Sequence, residues 1–172
     1  MLKTVIKHIT KFFAPEDIVR ILFGMIWIFD GSLAFLKGAS LLFENLIISE
    51  SLNQPKFLSG FFSFWVNAVK LNPNFYTYLI GVLSIILGIA IIFGFLKKTT
   101  YFLGVVFSLL IWAVGEGFGG PYVAGTTDIS AGPIYAIVFL LLILIYKYKR
   151  PRIDLDRIIG YRIKWWKIFA EI

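Results

Sequence analysis

Three carboxylates and three aromatic side chains carry the residue types in this chain that could do chemistry together: Asp30, Glu116 and Asp128, with Trp112, Tyr122 and Tyr135. Asp30 interrupts an apolar segment, 21–36, and Glu116 closes another, 99–115. Asp128 ends the stretch Glu116-Gly-Phe-Gly-Gly-Pro-Tyr-Val-Ala-Gly-Thr-Thr-Asp128. An ionisable group at bilayer depth costs roughly 2.5–3.5 kcal/mol even on a lenient insertion scale, so it needs a partner or a task. The task that suits carboxylates beside phenols is the carriage of a proton. Trp112 precedes Glu116 by four residues and shares its face of a helix. Such an aromatic slot, with carboxylates and phenols at its rim, suits a quinone head group, a flat ring that stacks and two oxygens that take hydrogen bonds or protons. Each acid also has a bland reading. Asp30 can bond a neighbouring helix, Glu116 can be solvated at headgroup depth, and Asp128 can cap the helix that follows it.

The elements that must position these residues are membrane helices. The chain has 172 residues, 59% of them hydrophobic. Residues 71–96 and 129–146 contain no charge, and runs of that length read as spans. The pattern predicts an all-α integral membrane protein, a four-helix bundle with spans at about 17–37, 75–96, 99–118 and 131–149. Interfacial amphipathic helices are expected at both termini and in the first outer loop. Residues 1–14 alternate Lys3, Lys7 and Lys11 with apolar side chains. Residues 56–71 space Phe57, Phe61, Phe64, Trp65 and Val69 along one face. Residues 151–172 carry too many charges to span, and Trp165-Trp166 suits headgroup level. Ala34 and Gly38, Gly115 and Gly119, and the glycines at 81, 88 and 94 are candidates for close helix contact.

Charge sets the expected orientation. The net charge is +7, with the basic residues gathered near both termini and at Lys97-Lys98, which is expected to form a tight turn. This is the positive-inside pattern rather than a nucleic-acid footprint. It predicts a multi-pass protein of the cytoplasmic membrane with both termini inside, and Arg20 as a snorkelling inner anchor. At 1.5 Å per residue Asp30 then lies about 20 Å from the inner end of its helix, and Glu116 on the order of 25 Å along its own. Both fall in the outer half of the bilayer, and Asp128 follows in the outer loop. The chain has no cysteine and one histidine, His8. It therefore carries no iron–sulfur cluster, covalent haem or thiolate metal site, and no metal ligand set is expected.

Two motif groups resemble a known family. Arg20-Ile-Leu-Phe-Gly24 through Phe29-Asp30-Gly31, followed by four spans, is similar to the DoxX/DoxD group of small membrane proteins. Glu116-Gly-Phe-Gly-Gly-Pro-Tyr, Gly125-Thr-Thr-Asp128 and Gly132-Pro133-Ile-Tyr135 resemble its DoxD branch, which includes the membrane subunit of archaeal thiosulfate:quinone oxidoreductase. The resemblance covers about residues 17–150. It implies a four-helix subunit that works beside another membrane subunit and passes electrons from a sulfur compound to a membrane quinone. The residue-level reading assigns Asp30, Glu116 and Asp128 as proton carriers and Trp112, Glu116, Tyr122 and Tyr135 as the quinone-binding set. The competing expectations are an accessory subunit of a larger respiratory complex, such as a terminal oxidase, and a small transporter. The second lacks the internal repeat that a transporter leads one to expect.

Overall fold

Proline opens two of the long helices, where its missing N–H costs nothing. Pro15 begins α1, Pro15–Leu33, and Pro73 begins α4, Pro73–Phe93. Ahead of α4, Asn72 caps by accepting from the Phe75 N–H at 3.1 Å. The computed structural model describes residues 14–52, 54–120, 129–149, 151 and 154–170. Among these residues every regular element is helical. The others are α2 (Ala39–Glu50), α3 (Ser59–Leu71), α5 (Lys97–Gly115), α6 (Ala131–Tyr148), α7 (Leu155–Arg162) and the single turn α8 (Lys167–Ala170). The expected N-terminal interfacial helix, and Tyr122 and Asp128, lie outside the described residues.

Among the described residues three helices, α4, α5 and α6, are long and apolar enough to cross a membrane, the mark of a membrane protein. Helix α1 is of similar length but carries Glu16, Asp17, Arg20 and Asp30.

Several boundaries differ from the sequence reading, each for a local reason. Helix α1 stops at Leu33 rather than near 37. A run of turns follows, the last closed from the Ala39 N–H to the Leu36 carbonyl around Gly38 at φ 86°, a left-handed position that favours glycine. That turn starts α2, which the sequence reading left inside a long connection. The Lys97-Lys98 pair is not the turn. The chain reverses just before it, through positive φ at Gly94 and Leu96, and the two lysines open α5. Helix α5 ends at Gly115, short of 118, because the next turn passes through Phe118 at φ 58°.

The helices pack as two intimate pairs. Helix α1 lies antiparallel on α4 with backbone against backbone. A Cβ on Gly24 would sit 2.8 Å from the Gly88 carbonyl oxygen, and one on Gly31 would sit 2.7 Å from that of Gly81. The glycines recur seven apart on both helices, so one seam keeps facing the other. Of the expected small-residue contacts, Ala34 does meet Gly81, but Gly38 and Gly115 have nothing packed against them. Helix α5 lies antiparallel on α6, with the Phe139 ring over Gly104 and the Gly132 backbone against Ser108 and Trp112. Between the pairs runs an aromatic core of Phe23, Trp27, Tyr101, Phe139 and Tyr146. Phe139 lies 4.9 Å from Phe23 and 6.2 Å from Tyr101, within the range of favourable edge-to-face contact.

The C-terminal segment is tied to the rest of the chain rather than merely lying beside it. Asp156 accepts from the Leu96 N–H at 2.6 Å and from the Lys97 N–H at 2.8 Å. Lys97 Nζ pairs with Asp154 and, at 3.4 Å, with Asp156. The Trp166 indole donates to Asp156 at 2.9 Å and its ring packs on Phe95. These contacts close the α4–α5 turn.

Candidate functional site

The first carboxylate, Asp30, sits in the last turn of α1, at its exposed edge. The Tyr135 hydroxyl, one turn into α6, donates to Asp30 Oδ2 at 3.1 Å. Tyr135 is held by its ring, which packs 5.4 Å from Trp27 and 5.7 Å from Phe23. Asp30 and Tyr135 thus form a phenol–carboxyl pair joining the two helix pairs.

Glu116 follows the last residue of α5 and turns back across to α6. Its carboxylate accepts from the Gly132 N–H at 2.9 Å and from the Ala131 N–H at 3.2 Å. The first N–H groups of a helix have no partner within it, and a carboxylate is the preferred guest there. Glu116 therefore caps the start of α6 at Ala131 and Gly132. Glu116 is half-buried.

Both carboxylates border one cavity of about 210 Å³. Its walls are Trp27, Ala34, Ile80 and Ile111, with Gly31, Gly81 and Gly132 thinning them where backbones approach. Its polar groups are Asp30, Glu116, Tyr135, Ser84 and Ser108. Among the described residues no basic side chain lines it, and no ion pair involves Asp30 or Glu116. An apolar-walled space with a few convergent polar groups is the usual form of a small-molecule site. The arrangement can hold a neutral ligand and exchange a proton with it through Asp30 and Tyr135.

Trp112 stands apart from the expected slot. It does not line the cavity but packs edge-on against Phe118 at 5.3 Å, with its Cβ close to Gly132. The aromatic wall comes from Trp27 instead, which is 1% exposed and stacks on Phe107 at 5.6 Å. Behind Glu116, Gln54 donates to the Glu50 and Gly117 carbonyls at 2.7 and 3.1 Å, tying the end of α2 to the turn that aims Glu116. Neither Trp27 nor Gln54 was singled out by sequence. Trp27 precedes Asp30 by three residues, a spacing that places the two on neighbouring positions of one helix face.

No family model, no curated protein and no solved structure matches the chain. The DoxX/DoxD resemblance rests on its residues alone.

A second polar cluster lies at the other end of α1. Asp17 and Arg20 are fully buried, 3.6 Å apart. Arg20 donates to the Ile92 carbonyl on α4 at 3.3 Å, and the Tyr146 hydroxyl donates to Asp17 at 3.2 Å. Arg20 is therefore not a snorkelling anchor. Its charge is consumed in a clasp across α1, α4 and α6.

Proposed function

We propose that this chain is the membrane subunit of a quinone-linked oxidoreductase, of the thiosulfate or sulfur-compound:quinone type, and that the quinone head group occupies the cavity between Asp30 and Glu116. The observation that carries the reading is that one apolar-walled space of about 210 Å³ is bordered by both carboxyl groups, a tyrosine hydroxyl and Trp27. The ring lies against the wall to which Trp27 contributes. One oxygen faces the Tyr135–Asp30 pair, which gives a proton when the quinone is reduced and takes it back when the quinol is oxidised. Glu116 holds the wall at the start of α6. Two carboxyl groups and no lining cation make the cavity a poor host for a sulfur oxyanion, so the sulfur substrate is handled by another subunit. The DoxX/DoxD resemblance supplies the substrate class.

The same reading takes α1 as a fourth span. Asp17 and Arg20 present no charge to lipid, which lowers the penalty for its depth. Both termini then face the cytoplasm, and the tail lies on the inner surface. In the cysteine-free chain, a single cysteine at Asn72 should react only from outside, and one at Lys98 only from inside.

A second reading, a non-catalytic accessory subunit, is favoured by Glu116, whose hydrogen bonds from the Ala131 and Gly132 N–H groups are those of a structural cap. One experiment separates the two. The chain is purified in mild detergent with its partners, bound quinone is extracted, and short-tailed ubiquinone and menaquinone analogues are titrated against tryptophan fluorescence. Saturable quenching that is lost in Trp27→Phe, with quinone-coupled turnover lowered in Asp30→Asn, supports the redox reading. Absence of bound quinone and of saturable quenching leaves the accessory role.

A further inference from the structure

The C-terminal segment sorts its charges by direction. Its two described acids turn inward. Asp154 and Asp156 both pair with Lys97, and their side chains are 10% and 4% exposed. Among the described residues 154–170 no acid is left on the outside. What faces outward is Arg157, Ile158, Tyr161, Arg162, Trp165 and Ile168, all exposed, Tyr161 to 94%. The segment is also fixed in place. Thr99, near the start of α5, donates to the Phe169 carbonyl at 3.1 Å. The basic and aromatic face is thus held at the mouth of helices that cross a membrane.

We propose that this face binds the anionic headgroups of the bilayer in which the chain sits, using Arg157 and Arg162 for the phosphates and Tyr161, Trp165 and Ile168 for the interface. The inference rests on the reading that the tail lies at the inner membrane surface, and adds a lipid class to it. Aromatic rings settle at headgroup level, basic amphipathic segments bind anionic surfaces, and each basic side chain near such a surface multiplies binding about five-fold. The inward clasp removes the acids that would otherwise oppose that attraction.

The test uses the full chain with a fluorophore on Ile168→Cys, reconstituted into phosphatidylcholine bilayers with or without phosphatidylglycerol. Embedding is read by spin-labelled lipid and by an aqueous quencher. Embedding should be stronger with phosphatidylglycerol, weaken at high salt, and shift roughly 25-fold towards water in Arg157→Gln/Arg162→Gln. Equal embedding in both bilayers overturns the anionic preference and leaves the tail at the surface. A label open to the aqueous quencher in both overturns the surface reading as well. A label shielded from both quenchers assigns the face to a protein partner and overturns the proposal.

Discussion

Helices α5 and α6 both begin without a side-chain cap from their own N-cap residue, Leu96 or Ser130, and both receive a carboxylate from elsewhere in the chain. Asp156 reaches α5 from 59 residues downstream, and Glu116 reaches α6 from 16 residues upstream. The surroundings differ. Asp156 is 5% exposed and also meets a lysine and an indole N–H. Glu116 meets two backbone N–H groups and then a cavity. The first is a closed joint, with its bonding capacity spent on the fold. The second leaves a carboxyl group beside open space, as a site requires. Burial with a cation leaves an acid no capacity to spare; a hydrogen-bonded acid at a cavity wall still borders space that a ligand could enter.

The comparison breaks first at Asp156. Asp156→Ala leaves Lys97 Nζ its pairing with Asp154 but takes the acceptor from the Leu96, Lys97 and Trp166 N–H groups, and should cost about 1–3 kcal/mol for each that stays buried, read as a fall in the unfolding midpoint in detergent. Gly88→Ala brings a Cβ to 2.6 Å from the Gly24 carbonyl oxygen. Overpacking of this kind costs about 1–3 kcal/mol, with no change in ligand affinity beyond what the lost folded fraction explains. Glu116→Gln keeps one acceptor for the α6 N-terminus and should cost about 1 kcal/mol or less. A loss equal to that at Asp156 would make Glu116 a structural acid too. Tyr135→Phe removes only the hydroxyl facing Asp30. Its stability change should stay within about 1 kcal/mol, while quinone-coupled turnover falls 10-fold or more. If turnover is unchanged, the phenol–carboxyl pair is a helix tie and no more.

The common level of Asp30 and Glu116 was legible because charge position along a span gives depth; that both also border one cavity depends on which helix faces turn inward. Tyr135 followed from the same register. Trp27 was not legible as a wall residue, because which face of α1 turns inward is decided by the glycine seam with α4. That seam was written in the seven-residue spacing of Gly24 with Gly31 and Gly81 with Gly88; Gly81 and Gly88 stood among the expected contacts, but their partners Gly24 and Gly31 did not. Helix α2 was hidden because its residues are apolar on several sides and only Ile47 is buried. The tail's acids gave a helix-start signal, and Asp154 does cap α7, but no local pattern announces a lysine 57 residues away.

Synthesis runs from α1 to α6, and the groups that complete the Asp17–Arg20 clasp come late. The Ile92 carbonyl is made 72 residues after Arg20, and the Tyr146 hydroxyl 129 residues after Asp17. Until the last long helix emerges, α1 holds an arginine and an aspartate without the partners that settle them. Its final seating is therefore among the last events of biogenesis, although it is among the first segments translated.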